Sequence, residues 1–92
     1  MSLRIKKEKG VYNLSGVLNA NTSKCLIQHI NLLLDYEYKV VMNIDDLRLM
    51  DQNGVAAFMT IMSFALRQDK MVEISGKGFK DIYDEYRYQV AA

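Results

Sequence analysis

Residues Lys39 to Arg67 read KVVMNIDDLRLMDQNGVAAFMTIMSFALR, and this stretch decides the fold. Val40, Val41, Met42 and Ile44 run apolar up to Asp45 and Asp46. A continuous run of this kind, rather than an alternating one, predicts a strand covered on both faces, as in α/β sheets. A short acidic loop is expected next. Asp51 then precedes a segment with no charged residue from Gln52 to Leu66. An Asp in that place can accept hydrogen bonds from the free amides of a helix start. Val55, Phe58, Met59, Met62 and Leu66 recur every three or four residues, which predicts one core-facing stripe. The opposite face carries Asn53, Ala56, Ala57, Thr60 and Phe64, and is small and nearly uncharged. Two readings of that face stand side by side: a helix buried on two sides within its own domain, or a surface that a partner can approach closely.

A helix that starts on a strand-to-helix loop offers unpaired N–H groups and the positive end of the helix dipole, so it favours an anion. A phosphorylatable residue there would make a compact switch, because a phosphate brings about two negative charges. The residues at this point are Gln52 and Asn53, which cannot form a phosphate ester.

The segment resembles the STAS domains, the family of bacterial anti-sigma-factor antagonists and of sulfate-transporter tails. Their pattern is an apolar strand, an Asp, a short loop, then Asp-Ser-Ser/Thr-Gly opening a helix. Asp51 and Gly54 match that motif. Gln52 and Asn53 replace its hydroxyl residues, with Asn53 at the phosphoacceptor position, and Asn43 stands where a strand-end Asp is usual. Upstream, Gly16-Val17-Leu18-Asn19-Ala20-Asn21-Thr22 is similar to the family's Gly-x-Leu-Asp-x-x-Thr, with Asn19 in place of Asp. The resemblance covers most of the chain, from about Tyr12 to the last helix.

Around this centre the chain reads simply. Leu3 to Lys7 and Val11 to Ser15 alternate apolar and polar residues, which predicts an antiparallel pair turned at Gly10 and ended by Gly16. Asn21 or Thr22 is expected to cap a first helix that runs to about Tyr36, with Leu26, Ile30 and Leu33 inside and Lys24, Gln28, Asn31 and Asp35 outside. His29 falls at the margin of that stripe, mid-helix, where a structural histidine is the better reading than a phosphoacceptor. Tyr36 and Tyr38 are expected to cover the sheet edge. Gln68-Asp69-Lys70 turns into a strand at Met71 to Ser75, parallel to the central one if the intervening helix makes an ordinary crossover. Gly76-Lys77-Gly78 lacks the span and the Ser/Thr of a P-loop, and reads as a permissive turn. A last helix is expected to bury Phe79, Ile82, Tyr83, Tyr86 and Val90. Its tyrosines, Tyr83, Tyr86 and Tyr88, are read as packing rather than base-stacking.

Ninety-two residues, half of them apolar, make one small domain over residues 1–92. Twelve basic against eleven acidic residues leave a formal charge of +1, which gives no electrostatic footprint for nucleic acid. Lys6, Lys7 and Lys9, interrupted by Glu8, suit a solvated edge strand. The single cysteine, Cys25, is expected to pack as a small hydrophobe on the first helix. Met1-Ser2-Leu3-Arg4 shows no signal peptide and no apolar run is long enough to span a bilayer, so the expected place is the cytoplasm.

Chemistry has little to stand on. Asp45, Asp46 and Asp51 invite comparison with the Mg²⁺-holding carboxylates of receiver domains, but all three lie in one stretch and no early strand supplies a partner acid. One histidine gives no nucleophilic triad. The sequence therefore predicts an α/β protein: a single STAS-like domain with a four-stranded mixed sheet, an N-terminal antiparallel pair and three helices, and no enzymatic activity, cofactor or metal. The resemblance implies a transcription-regulating, partner-switching module. It would dock a protein, such as an anti-sigma factor with serine kinase activity, through Asp51, Gln52, Asn53, Gly54, Ala56, Ala57 and Thr60. Thr60 and Ser63 are the hydroxyls on that helix that remain open to phosphate. The alternative the resemblance leaves is a nucleotide- or small-ligand-binding accessory subunit of a transport system.

Overall fold

The computed structural model describes residues 2–78. The expected last helix, from Phe79 to Val90, lies outside the described residues. Strands β1 (Leu3–Glu8), β2 (Val11–Leu18), β3 (Lys39–Met50) and β4 (Met71–Ser75) form one sheet in the order β1-β2-β3-β4. Helix α1 (Ala20–Tyr36) joins β2 to β3, and α2 (Gln52–Arg67) joins β3 to β4. β1 and β2 are antiparallel; β2, β3 and β4 are parallel. The mixed four-stranded sheet with its N-terminal antiparallel pair is thus as the sequence predicts, and two helices fall among the described residues.

The core lies between one sheet face and the two helices. Tyr12 and Leu14 from β2, Val40, Met42 and Ile44 from β3, and Ile74 from β4 meet Leu26, Ile30 and Leu34 of α1 and Phe58, Ile61 and Ala65 of α2. β3 alternates: Val40, Met42 and Ile44 are buried while Val41 and Asn43 are only half-buried. The expectation of a strand covered on both faces is corrected, because Val41 and Asn43 face Val11 and Asn13 of β2 on the sheet side away from those helices. The acidic loop is corrected too. β3 runs through Asp45 and Asp46 to Met50 by taking in an extra residue twice against β2, between Asn13 and Ser15 and again between Gly16 and Val17. Gly16 does not end β2. It sits at the second irregularity with φ +98°, where a side chain would meet the Ser2 carbonyl oxygen at 2.1 Å.

α1 starts earlier than the sequence reading placed it, because Asn19 and Thr22 cap it reciprocally. Asn19 Oδ1 accepts from the N–H groups of Asn21 (3.0 Å) and Thr22 (3.1 Å), and Thr22 Oγ1 accepts from Asn19 N–H (2.9 Å). The inner stripe is Ser23, Leu26, Ile30 and Leu34, with Leu33 displaced to the flank. Cys25 is exposed rather than packed, and His29 is exposed rather than marginal, since both lie on the solvent side of that stripe. Tyr36 and Tyr38 do not cover the edge; they are 82% and 69% exposed. Tyr12 instead ties the hairpin to the end of α1. Its hydroxyl donates to Glu37 Oε2 at 2.5 Å, and Lys7 lies 5.3 Å from its ring centroid and 3.8 Å from Glu37. The Glu37 acceptor, aided by burial, raises the phenol pKa above its ordinary 10.0. At the same pole the Lys70 ammonium donates to the Leu34 carbonyl, and so satisfies one orphan acceptor of the last turn of α1.

Candidate functional site: the start of helix α2

Asp51 does what its place in the sequence predicts. Its Oδ1 accepts from the N–H groups of Asn53 (2.9 Å) and Gly54 (3.1 Å), and its own N–H donates to the Leu18 carbonyl at the end of β2 (3.2 Å). One residue therefore fixes the helix start and pins it to the neighbouring strand. Asn53 is exposed, and its amide nitrogen lies 3.5 Å from Asp51 Oδ2. Gln52 is exposed as well. Gly54 is buried for a packing reason: an added Cβ would come within 2.7 Å of Met50 Cγ and 2.9 Å of Leu18 Cδ2. The glycine of this motif is a close-approach residue that lets the first turn lie on the ends of β2 and β3.

The phase of α2 differs from the sequence reading. The buried residues are Gly54, Ala57, Phe58, Met59, Ile61 and Ala65; Val55 and Met62 are half-buried and Leu66 is 67% exposed. Periodicity weighted by size put the large residues inside. The helix instead lies close enough for Gly54, Ala57 and Ala65 to face inward, and the bulky neighbours move to the flanks. Ala57, expected on the outer face, is 2% exposed and belongs to the core. Phe64 is half-buried. The exposed row is Asn53, Ala56, Thr60, Ser63 and Arg67, and Ala56, Met59, Thr60, Ser63 and Arg67 line a shallow groove along it. A second hollow, lined by Val17, Leu18, Asn19, Leu49, Met50 and Asp51, opens between the two helix starts. Leu49 there is 61% exposed and had no signal in the sequence, because the strand was expected to end before it.

Among the described residues no three His, Cys, Asp or Glu side chains gather as metal ligands. Asp45 Oδ1 is taken by the N–H of Lys77 at 2.8 Å, so the acidic stretch divides into a loop clamp and a helix cap.

A family model for the STAS domain matches residues 1–80. The chain belongs to the STAS domain family. The resemblance carried by Asp51, Gly54 and the Gly16–Thr22 segment thus holds for the domain as a whole. A search of curated proteins returns no match. Among solved structures, Mglu superposes with a TM-score of 0.68 at 16% identity, over 82% of this chain and 19% of that one. An anti-sigma factor antagonist from Mycobacterium paratuberculosis superposes with a TM-score of 0.67 at 15% identity, over 96% of this chain and 80% of that one. Mglu in its native form gives 0.62 at 13% identity, over 79% of this chain and 23% of that one. The STAS domain described here therefore spans about a fifth of the length of Mglu, and these likenesses speak to fold. Among its described residues no helix is long and apolar enough to cross a membrane.

Proposed function

We propose that this STAS domain is a non-enzymatic docking module that binds a protein partner through the start and outer row of α2. Asn53 would stand as a neutral, permanently unphosphorylated residue at the switch position. The observation that carries this reading is the geometry of residues 51–54. The motif is folded as a cap on Asp51, with Gln52 and Asn53 held exposed at the helix tip. The row behind them, Ala56 and Thr60, is small and uncharged and lets a partner backbone approach. Ala57 is withdrawn from that surface, since it lies in the core. Partners of the kind suggested by the anti-sigma-factor antagonist likeness, an anti-sigma factor with serine kinase activity among them, fit such a face.

The nucleotide-binding alternative finds less support. The Asp51 carboxylate already accepts from the Asn53 and Gly54 N–H groups that a phosphate would need, and its charge would repel one.

Co-purification from the native cell tests the reading. Asn53→Asp sets a second carboxylate beside Asp51, where the present amide lies 3.5 Å from Oδ2, and is expected to release the partner. Asn53→Gln keeps the site neutral and is expected to retain it. Equal recovery with all three chains contradicts the reading. So does phosphate appearing at residues 51–54 of the wild type after incubation with a cognate kinase and ATP.

A further inference from the structure

Asp45 and the Gly76-Lys77-Gly78 turn are far apart in the sequence. The structure joins them. Within the bulged part of β3, the N–H of Asp45 donates to the side-chain oxygen of Asn43 at 2.8 Å. The Asp45 carboxylate then reaches across the sheet end and accepts from the N–H of Lys77 at 2.8 Å. Gly76 passes so close that a Cβ would lie 2.8 Å from both Asp45 N and Asp45 Oδ1, and its φ of +110° suits glycine alone. The turn held in this way places Gly78 near Met50, with space between them for a methyl group: a Cβ on Gly78 would sit at ordinary contact distance, 3.5 Å, from Met50 Cε. The other side of the same methionine meets α2, where a Cβ on Gly54 would be 2.7 Å from Met50 Cγ. Met50 thus lies between two glycines, tightly against the one in the first turn of α2 and more loosely beside the one in the turn after β4.

We infer that Asp45 is a positioning residue for the docking surface: it latches the 76–78 turn to β3, and the turn, through Met50, holds the start of α2 in place. This rests on the reading of that surface as the docking face, but the latch itself is measurable without any partner. With the latch closed, the turn limits how far the Met50 side chain can swing away from the first turn of α2. With it open, Met50 gains room toward the turn, and the first turn of α2 loosens while the body of the sheet keeps its packing.

Amide hydrogen exchange on the free domain tests this at Gly54 and Val55, whose N–H groups both donate to the Asp51 carbonyl. Asp45→Ala is expected to speed exchange at these two amides about tenfold, the scale of one lost hydrogen bond to a charged group, while Leu14 and Leu26 in the core are unchanged. Asp45→Asn keeps an acceptor oxygen for Lys77 N–H and is expected to restore slow exchange. Adding Asp45→Ala to Met50→Ala is expected to change Gly54 and Val55 no further, because the link has already been removed. If Asp45→Ala unfolds the domain, Gly76→Ala opens the latch from the turn side and is expected to show the same local effect. Faster exchange at Lys77 with none at Gly54 and Val55 overturns the inference, as does failure of Asp45→Asn to restore them. Failure of the docking reading has a different signature: partner recovery indifferent to Asn53→Asp, whatever the exchange rates.

Discussion

At the scale of single residues, Asp51 and Gly54 divide the work of the motif. Asp51 removes two orphan donors from the helix start, and capping side chains of this kind contribute about 1 kcal/mol. Asp51→Ala is therefore expected to lower the unfolding free energy by about that amount in a urea titration, with an unchanged slope. Gly54 contributes by what it lacks. A methyl group there must displace Met50 Cγ and Leu18 Cδ2, so Gly54→Ala is expected to cost about 1–3 kcal/mol despite alanine's better helix propensity. A gain in stability would show that the helix start can back away from the strands. These two residues were legible in the sequence, because the Asp before an uncharged helical run and the Gly of the family motif are local signals. Ala57 was not. Whether a small residue faces in or out depends on how closely the helix lies on its neighbours, and spacing alone does not carry that distance.

At the scale of elements, the same limit explains both helices and the central strand. α2 came out with the right extent and α1 short at its start, and both have inner stripes that differ in membership. Leu34 replaced Leu33, and Gly54, Ala57, Ile61 and Ala65 replaced Val55, Met62 and Leu66. β3 came out too short, because Asp45 and Asp46 look like loop residues until the bulges that carry them past β2 are seen. The contact that fastens hairpin to helix, Tyr12 to Glu37, joins residues 25 apart and leaves no local pattern. It makes a prediction of its own. The folded state raises the Tyr12 pKa, so it favours the neutral phenol. The resulting stability is fully present below the ordinary value of 10.0 and is lost as pH climbs through the higher folded-state value. Tyr12→Phe is expected to lose roughly 1 kcal/mol at neutral pH. Its melting temperature should then fall less steeply than the wild type's between neutral pH and the strongly alkaline range. Parallel curves would mean that the phenol is not favoured by the fold.

At the scale of the molecule, the parallel strands β2 and β3 both feed their helices at one end of the sheet, so the caps Asn19 and Asp51 and the latch from Asp45 to Lys77 gather there. The remote pole is held by Tyr12–Glu37 and by Lys70 on the last turn of α1. This division lets one end of a small domain present a fixed surface while the other carries the ties that close the fold. The central claim is that this fixed end docks a protein and that the neutral amide of Asn53 keeps it competent. The direct measurement is the Kd of the partner recovered with the wild-type domain, determined side by side for wild type and Asn53→Asp in purified form. A like charge set against the Asp51 carboxylate in a desolvated contact is expected to weaken binding at least about tenfold, with the melting temperature of the free domain little changed. An unaltered Kd would contradict the account.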